Sequence, residues 1–263
     1  MDKNSTVSII TVCFNSAKTI EKTIQSVLNQ TTKPFEYLII DGNSKDETLS
    51  IIDRYSSQFE NKGIRFVVIS EKDTGIYNAM NKGIKLSQGE LLGIINSDDY
   101  YEPDAISSII EMYTHSQSPD IIHGNINILH PDGSIRNVRT SFTVNDSRSV
   151  TEDYSLLKKR MILSHPSCFI KKSSYEHFGL YNENYAIAAD YDLIVRYYKA
   201  GARFVYVNHI ITNMTIGGIS HSNKIKVILE TLRVQREHHI VSLSSLTRSF
   251  YELSIAIVKK IIG

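Results

Sequence analysis

The sequence predicts an α/β protein built on a doubly wound, mostly parallel sheet with helices on both faces. Four short apolar runs alternate with amphipathic helical patterns over residues 7–115, and this order is typical of parallel sheets with crossover helices. A polar cluster follows each run, and right-handed crossovers bring such clusters to one edge of the sheet. The length of 263 residues suits one large domain, or a domain with a small appendage.

The first half of the chain divides into four strand–helix pairs. The strands are predicted at residues 7–12, 35–40, 64–69 and 91–95. Apolar residues three or four positions apart predict helices that begin near Ala17, at Ser44, at Ile76 and at Pro103. The second helix is expected to run through Phe59, because Ser44 and Glu47 have the spacing of a capping box.

The second half is less regular. A hairpin is predicted at residues 120–139, with its turn at Pro131–Asp132–Gly133. Further strands are predicted at 167–170 and 203–207, helices at 190–200 and 225–239, and an amphipathic tail at 246–262. The polar residues 140–160 are interpreted as a loop over the site.

Composition argues against several classes of function. The 29 basic and 28 acidic residues give a net charge of +1, so the basic excess of a nucleic-acid binder is missing. Cys13 and Cys168 lie apart in apolar runs, which predicts core positions in a reducing compartment and no zinc motif. The chain shows no signal-peptide core and no apolar run of ~20 residues. We therefore expect a cytoplasmic protein, either free or peripheral at the cytoplasmic face of the inner membrane.

Two adjacent carboxylates, Asp98 and Asp99, follow a predicted buried strand. Such a pair is unfavourable when desolvated, because like charges repel and each charge loses hydration. Ligands bind beyond the carboxyl ends of the strands in open α/β sheets. We interpret the pair as a divalent-cation site beside a phosphate-bearing substrate, with a solvated turn as the alternative.

Other polar residues at this edge have two interpretations each. Asp41 can accept hydrogen bonds from a base or ribose, although an Asp–Gly turn also explains it. Asn78 and Asn81 share one helix face, and Asn is unfavourable inside helices. These two residues therefore either cap a frayed helix start or contact a ligand or neighbouring loops.

The second half contributes two acids and two histidines. Asp190 and Asp192 lie at a predicted helix start, where either is explained as a cap. Asp190 follows two alanines that leave room for a substrate, and as an ionised carboxylate at neutral pH it could accept a hydroxyl proton. His165 either contacts a substrate or is satisfied within a loop. His221 ends the segment Gly217–His221, which either closes on a diphosphate through backbone amides or is a linker.

Missing motifs disfavour other reactions. No G-x-x-x-x-G-K-[S/T] loop is present, which disfavours P-loop nucleotide hydrolysis, and no G-x-G-x-x-G follows the first strand, which disfavours NAD or FAD. The sequence also lacks H-E-x-x-H and G-x-S-x-G, the motifs of zincins and of serine hydrolases.

In their order, the motifs resemble those of family 2 glycosyltransferases with the GT-A fold, especially bacterial enzymes of surface-polysaccharide assembly. The matching segments are Val7–Asn15, Tyr37–Thr48, Asp73–Gly83, Asn96–Asp99 and Ala189–Leu193. The resemblance covers about residues 5–220. The sequence differs from the family pattern at Asn96, where the acidic motif often begins with Asp, and at Ala189, where many relatives carry Glu.

The resemblance implies a nucleotide-diphosphate sugar donor, with a UDP-sugar favoured, bound over the first four strands. Asp41 would contact the base or ribose. The implied donor-binding residues are Thr11, Asn15, Asp41, Asp73, Asn78, Asn96 and Asp98. Asp98 and Asp99 would hold Mg²⁺ or Mn²⁺, which bridges the diphosphate and stabilises the departing charge. Asp190 matches the catalytic base, and His165, Asp192 and His221 are candidate acceptor or loop residues.

The implied organisation is a GT-A domain at 1–222, with a donor half at about 5–115 and an acceptor half at about 116–222, followed by a helical extension at 223–263. The leading hypothesis is a metal-dependent inverting transferase acting on a glycan or lipid-linked acceptor in polysaccharide or O-antigen assembly. A catalytically inactive nucleotide-sugar binding subunit or sensor is the alternative. The tail is expected either to lie on an anionic membrane surface or to pack on the domain or on a second subunit of a homodimer.

Overall fold

The computed structural model describes residues 6–142, 152–217, 223–242, 245–247, 249 and 251–255. The strands β1–β9 are Val7–Cys13, Glu36–Asp41, Arg65–Ser70, Leu91–Asn96, Tyr100–Tyr101, Ile121–Leu129, Ile135–Arg139, Cys168–Lys171 and Phe204–Thr215. The helices α1–α8 are Ile20–Leu28, Thr48–Asp53, Ser56–Asn61, Ile76–Leu86, Ala105–His115, Lys172–Phe178, Ala189–Lys199 and Lys224–Glu237. Short 3₁₀ helices occupy Tyr154–Lys158 and His165–Ser167, and residues 245–247, 249 and 251–255 are also helical.

The first four strands form a parallel unit in the order β3-β2-β1-β4. Helices connect successive strands, so the predicted α/β class with a doubly wound parallel sheet is confirmed. The register aligns Cys13 with Asp41 and Asp41 with Ser70. The carboxyl ends of β1, β2 and β3 therefore lie side by side, which is where open α/β sheets bind ligands.

The same sheet continues through the second half of the chain. Strand β8 pairs antiparallel with β4, and β6, β9 and β5 follow in that order. Strands β6 and β7 form the predicted hairpin, and Gly133 in its turn has a φ of 87°, which favours glycine. Strand β9 is longer than the sequence predicted and pairs in parallel with β6.

Two apolar layers cover the two faces of the sheet, as the alternation of side chains along a strand requires. On one face, Ile10 of β1 packs with Met80 of α4 and Val195 of α7. On the other face, Ile9 packs with residues of α1, α2, α3 and α5. Each buried aliphatic side chain of this kind stabilises the fold by about 1.5–3 kcal/mol.

Two predicted helix starts are wrong. Helix α1 begins at Ile20 and not near Ala17, because residues 17–19 form a turn closed on the Ser16 carbonyl and Thr19, with a φ of −126°, is outside helical geometry. The expected helix from Ser44 to Phe59 begins at Thr48 and divides into α2 and α3. Ser44 does not cap it, since its hydroxyl donates to Asp41.

Some predictions concern residues outside the described ones. Residues 143–151 of the expected loop over the site, the segment 218–222 with His221, and residues 256–262 of the tail belong to this group. Within the described residues, no helix is both long enough and apolar enough to span a bilayer.

Candidate functional site

The loops that follow the parallel strands meet at the carboxyl edge of the sheet. A Cβ placed on Gly42, after β2, would lie 3.3 Å from Asp73 Oδ2 after β3 and 3.4 Å from Phe14 Cδ2 after β1. The loops after β1 and β4 are joined by a 2.8 Å hydrogen bond between the hydroxyls of Ser16 and Ser97. Four segments that are distant in sequence thus form one polar surface.

Asp41 is fully buried at the end of β2. Its Oδ2 accepts the Ser44 amide at 3.0 Å and the Ser70 hydroxyl at 2.6 Å, while its Oδ1 accepts the Ser44 hydroxyl and the Cys13 thiol. Burial and the nearby Asp41 charge both raise the pKa of the Cys13 thiol. Asp41 therefore organises the turn after β2, and direct contact with a nucleotide requires an exchange of these hydrogen bonds.

Thr11 and Asn15 are held by the protein in different ways. Thr11 is fully buried within β1 and accepts the Tyr37 hydroxyl at 3.0 Å. Asn15 is exposed, with a φ of 49°, and its Oδ1 accepts the Lys45 amide at 2.8 Å. Of the two, Asn15 is the residue that borders solvent at the edge of the sheet.

The segment after β3 is held by ion pairs and amide contacts. Lys82 Nζ lies 2.5 Å from Asp73 Oδ1 and 2.9 Å from Glu71 Oε1. Asn78 and Asn81 both donate to Glu183, at 2.9 and 2.8 Å. The two asparagines thus contact a neighbouring loop, which is one of the two interpretations that the sequence left open.

Asn96, Asp98 and Asp99 form the acidic turn after β4. Asp99 is 2% exposed, and its carboxylate accepts the Thr215 amide at 3.3 Å and Asn96 Nδ2 at 3.4 Å. Burial raises the pKa of Asp98, and burial together with the Asp98 charge raises the pKa of Asp99 well above its usual range. Two desolvated carboxylates thus lie side by side with little compensation.

The donor atoms of this turn fit a hard divalent cation. Asn96 Oδ1 is buried without a hydrogen-bond partner, an arrangement that costs about 1–3 kcal/mol. Two carboxylates and an amide oxygen are ligands that Mg²⁺ and Mn²⁺ accept. No cluster of three or more His, Cys, Asp or Glu side chains suited to a metal occurs among the described residues. A cation here would therefore also depend on oxygen ligands from a bound phosphate, as Mg²⁺ commonly does.

Asp190 lies in the first turn of α7, on the wall of a cavity of about 260 Å³. Burial raises its pKa to about 6, against the opposing effects of the Tyr191 amide, which donates to Oδ1 at 2.8 Å, and of the Arg139 charge. The cavity is also lined by Lys159, Arg160, Met161, Ile187, Ala188, Tyr191, Val227, Thr231, Gln235, Ser245, Ser249 and Glu252. The carboxylate is thus a stronger base than an ordinary Asp and remains mostly ionised at pH 7.

The other predicted residues of the second half make internal contacts. Asp192 is buried, and its Oδ1 lies 2.8 Å from His238 Nε2. His165 Nε2 lies 2.6 Å from the Tyr181 hydroxyl, and burial lowers the pKa of His165 to about 4. The His165 contact matches the structural interpretation that was left open for it. Asp192, by contrast, does not cap α7, because its carboxylate bonds to the side chains of His238 and Arg196.

Two residues near Asp190 were missed by the sequence analysis. The Tyr77 hydroxyl of α4 donates to the Ile187 carbonyl, and the Glu230 carboxylate of α8 accepts the amides of residues 186–188. A signal for the second contact did exist. The segment 186–189 contains no side chain that can cap α7, so an outside acceptor is expected.

A family model described as "Glycosyl transferase family 2" matches residues 8–179. The chain is 26% identical over 228 residues to a PGL/p-HBAD biosynthesis glycosyltransferase of Mycobacterium bovis (strain BCG / Pasteur 1173P2), covering 86% of this chain and 83% of the relative. It is 28% identical over 233 residues to an Escherichia coli chondroitin synthase, covering 89% of this chain and 31% of the synthase.

Solved structures share the fold. S. aureus TarS 1-349 in complex with UDP-GlcNAc superposes with a TM-score of 0.71 at 17% identity, covering 94% of this chain and 70% of TarS. The mannosyltransferase PcManGT of Pyrobaculum calidifontis, in complex with GDP-Man and Mn²⁺, gives a TM-score of 0.64 at 14% identity. The superposition covers 96% of this chain and 75% of PcManGT. The fold is GT-A, as the resemblance implied. With the family match spanning most of the parallel half and β8, this chain belongs to glycosyl transferase family 2.

Proposed function

We propose that the chain is an inverting glycosyltransferase that moves a sugar from a nucleotide-diphosphate sugar to a hydroxyl of a glycan or lipid-linked acceptor. The observation that carries the proposal is Asp190, a carboxylate with a pKa of about 6 on a cavity wall. The names of the relatives, a PGL/p-HBAD biosynthesis glycosyltransferase and a chondroitin synthase, favour a role in polysaccharide or glycolipid assembly.

In the proposed reaction Asp190 is the general base. It takes the proton of the acceptor hydroxyl while that oxygen attacks the anomeric carbon, and the bond from this carbon to the diphosphate oxygen breaks on the opposite side. The configuration therefore inverts, and the nucleoside diphosphate leaves. A pKa near 6 suits this role, because the base is charged at pH 7 and still binds a proton strongly enough to assist the attack.

The donor is assigned to the carboxyl edge of β1–β4, with a UDP-sugar favoured because TarS was solved with UDP and UDP-GlcNAc. Thr11, Asn15, Asp41 and Asp73 remain proposed donor-site residues. A divalent cation held by Asp98, Asp99 and Asn96 Oδ1 would supply charge stabilisation for the departing diphosphate. The Mn²⁺ in PcManGT favours such a cation.

The proposed organisation assigns donor binding to about residues 5–115, acceptor binding to about 116–222, and a supporting role to 223–263. The lining of the Asp190 cavity comes from residues beyond 158, in both the acceptor half and the extension, which supports an acceptor site outside the donor half. The cavity is therefore the proposed site of the acceptor hydroxyl.

The function can be tested by melting the purified protein with UDP-, GDP- and dTDP-sugars, with and without Mn²⁺. A ligand at a hundredfold excess over its Kd stabilises the folded state by ~2.7 kcal/mol, so the true donor class should raise the melting temperature most, and more with Mn²⁺. Asp190→Asn should keep this shift and lower the rate of UDP or GDP release by about 10²–10⁴-fold, the usual contribution of a general base.

The matched control is Asp53→Asn, an exposed aspartate on α2 that should leave both measurements unchanged. Undiminished release of UDP or GDP by Asp190→Asn would show that the base is assigned incorrectly. Donor binding without any turnover in the wild-type protein would favour the nucleotide-sugar binding subunit or sensor.

A further inference from the structure

Helix α8 reaches the segment that leads into α7 through a single carboxylate. Glu230 Oε2 accepts the amides of Ile187 at 2.8 Å, Ala188 at 3.0 Å and Ala186 at 3.2 Å, and Glu230 Oε1 accepts the Ala186 amide at 3.1 Å. Three successive backbone N–H groups therefore point at one side chain. Hydrogen bonds to a charged acceptor are roughly twice as strong as neutral ones.

This contact compensates for a local deficiency in the sequence. Ala188 is the N-cap of α7 and has no side-chain hydrogen bond to offer. The first four amides of a helix, from the N-cap onward, have no partner within the helix and need other acceptors. Glu230, 42 residues along the chain from Ala188, accepts the Ala188 amide and the two amides before it, while the Tyr191 amide donates to Asp190 Oδ1.

The segment is also held by two other contacts. The Tyr77 hydroxyl donates to the Ile187 carbonyl, and the Tyr185 hydroxyl donates to Glu237 Oε2 at 2.5 Å. Tyr77 also lies against the amides of Ala189 and Asp190, while Glu230 holds the amide of Ala188, two residues before Asp190. The position of the first turn of α7 thus depends on Glu230 together with Tyr77.

We propose that Glu230 is a positioning residue for Asp190, holding the start of α7 so that the carboxylate faces the cavity. The inference rests on the proposed function, because it assumes that Asp190 is the base. It makes helix α8, which lies beyond the residues of the family match, part of the catalytic apparatus.

Glu230 also affects Asp190 through its charge. The pKa of Asp190 is raised by burial first, lowered by the Tyr191 amide and by Arg139, and raised again by Glu230. Other titratable groups feel the charge of the same carboxylate, namely Tyr77 of α4, Cys168 of β8 and Tyr181. The charged groups that line the same cavity are Lys159, Arg160 and Glu252 of the C-terminal helical residues.

The test compares Glu230→Gln and Glu230→Ala with the wild-type protein and with Glu176→Gln, an exposed glutamate on α6. The assay is hydrolysis of UDP-N-acetylglucosamine and of GDP-mannose, followed as release of UDP or GDP between pH 5 and 8. Melting temperature and the donor KM are measured on the same samples.

The alanine variant should lose about 10- to 100-fold in kcat with an unchanged donor KM, because a misplaced catalytic group is penalised on that scale. The glutamine variant keeps an acceptor for the amides but loses the charge. Because the Glu230 charge raises the pKa of Asp190, the fall of kcat at acidic pH should move to lower pH in this variant. A merely structural role would not produce this shift. Glu176→Gln should match the wild-type protein.

If the alanine variant does not fold, the pH profile of the glutamine variant decides. If the variants melt normally and have the kcat and the pH profile of the wild-type protein, the positioning role of Glu230 is overturned. The proposed function is not affected by that result. A change in donor KM with kcat unchanged would overturn the positioning role as well. A wild-type protein that binds none of the UDP-, GDP- and dTDP-sugars would contradict the proposed function, and the positioning role with it.

Discussion

At the scale of single residues, Asp190 shows two opposing effects on one carboxylate. A position in the first turn of a helix favours the charged form, and the sequence predicted an ionised carboxylate on that ground. Burial acts in the other direction and is the larger effect, so the pKa rises to about 6. The carboxylate is nevertheless about nine-tenths ionised at pH 7, because one pH unit separates the pKa from neutrality.

This pKa predicts the pH dependence of the reaction. Asp190 accepts a proton only when ionised, so kcat should be nearly constant above pH 7 and should fall as the pH drops through about 6. The measurement is the rate of UDP or GDP release between pH 5 and 8 at saturating donor and Mn²⁺.

Asp98 and Asp99 also have raised pKa values, and their protonation could also lower kcat at acidic pH. A repeat of the pH profile at several Mn²⁺ concentrations separates the two causes. Protons compete with the cation for those carboxylates, so a limb caused by them moves to lower pH as Mn²⁺ is increased. A limb caused by Asp190 does not move. A flat profile between pH 5 and 7 would contradict the assignment of Asp190 as the base.

Single residues also settle which of two structural interpretations applies. For Asn78 and Asn81 the sequence left open a frayed helix start or a contact with a ligand or a loop. In the structure both donate to Glu183, more than 100 residues away along the chain. Asp41 has all its oxygen atoms engaged by Cys13, Ser44 and Ser70. These residues therefore support the shape of the site in the structure, whatever contacts they also make with a donor.

At the scale of elements, the close approach of α4 to β1 depends on one small residue. A Cβ placed on Gly83 would lie 2.5 Å from Ile10 Cγ2 and 3.4 Å from Ile40 Cγ1. Real Cβ atoms do not approach so closely, and both isoleucines are fully buried. Helix α4 follows the loop that carries Asp73, so its distance from the sheet also sets the position of that loop.

Gly83→Ala is therefore expected to destabilise the protein. Overpacking of a close contact costs typically about 1–3 kcal/mol, partly offset by the better helix propensity of Ala. The measurement is the free energy of unfolding in urea, with Lys85→Ala on the exposed side of α4 as the control. A Gly83→Ala protein as stable as the control would show that helix and strand are less tightly packed than the structure indicates.

At the scale of the whole molecule, large apolar side chains remain exposed at the C-terminal end. Tyr251 is 67% exposed and Ile255 is 38% exposed, while Ser245 and Ser249 of the same segment line the Asp190 cavity. The segment thus contacts the site and also presents apolar side chains outward. In the sequence, Lys259 and Lys260 follow these apolar residues, and apolar side chains with lysines close by along the chain are typical of helices that lie on anionic membranes.

We expect the protein to sediment with vesicles that contain phosphatidylglycerol, and Tyr251→Glu with Ile255→Glu to reduce this binding. The reason is that each charge introduced at a membrane interface opposes insertion of the apolar face. The matched control is Ile135→Glu with Val138→Glu, two exposed apolar residues of β7. A wild-type protein that stays in the supernatant, or equal losses in both double variants, would contradict the membrane contact.

The sequence by itself determined the alternation of strands and helices, the polar clusters at the strand ends and the family. Those features depend on local apolar spacing and on the order of short motifs, both of which are visible along the chain. The late start of α2 was missed because Ser44 bonds to Asp41 and Asp46 to Ala17, contacts that local propensity does not encode.

Only the tertiary structure decided how the side chains of the site are partnered. His238, one partner of Asp192, is 46 residues away. Glu230, the partner of the Ala188 amide, is 42 residues away, and the two asparagines of α4 bond across more than 100 residues. The pKa of Asp190 likewise depends on burial by several elements at once. Hydrogen bonding and desolvation are properties of neighbours in space, and a sequence pattern specifies only neighbours along the chain.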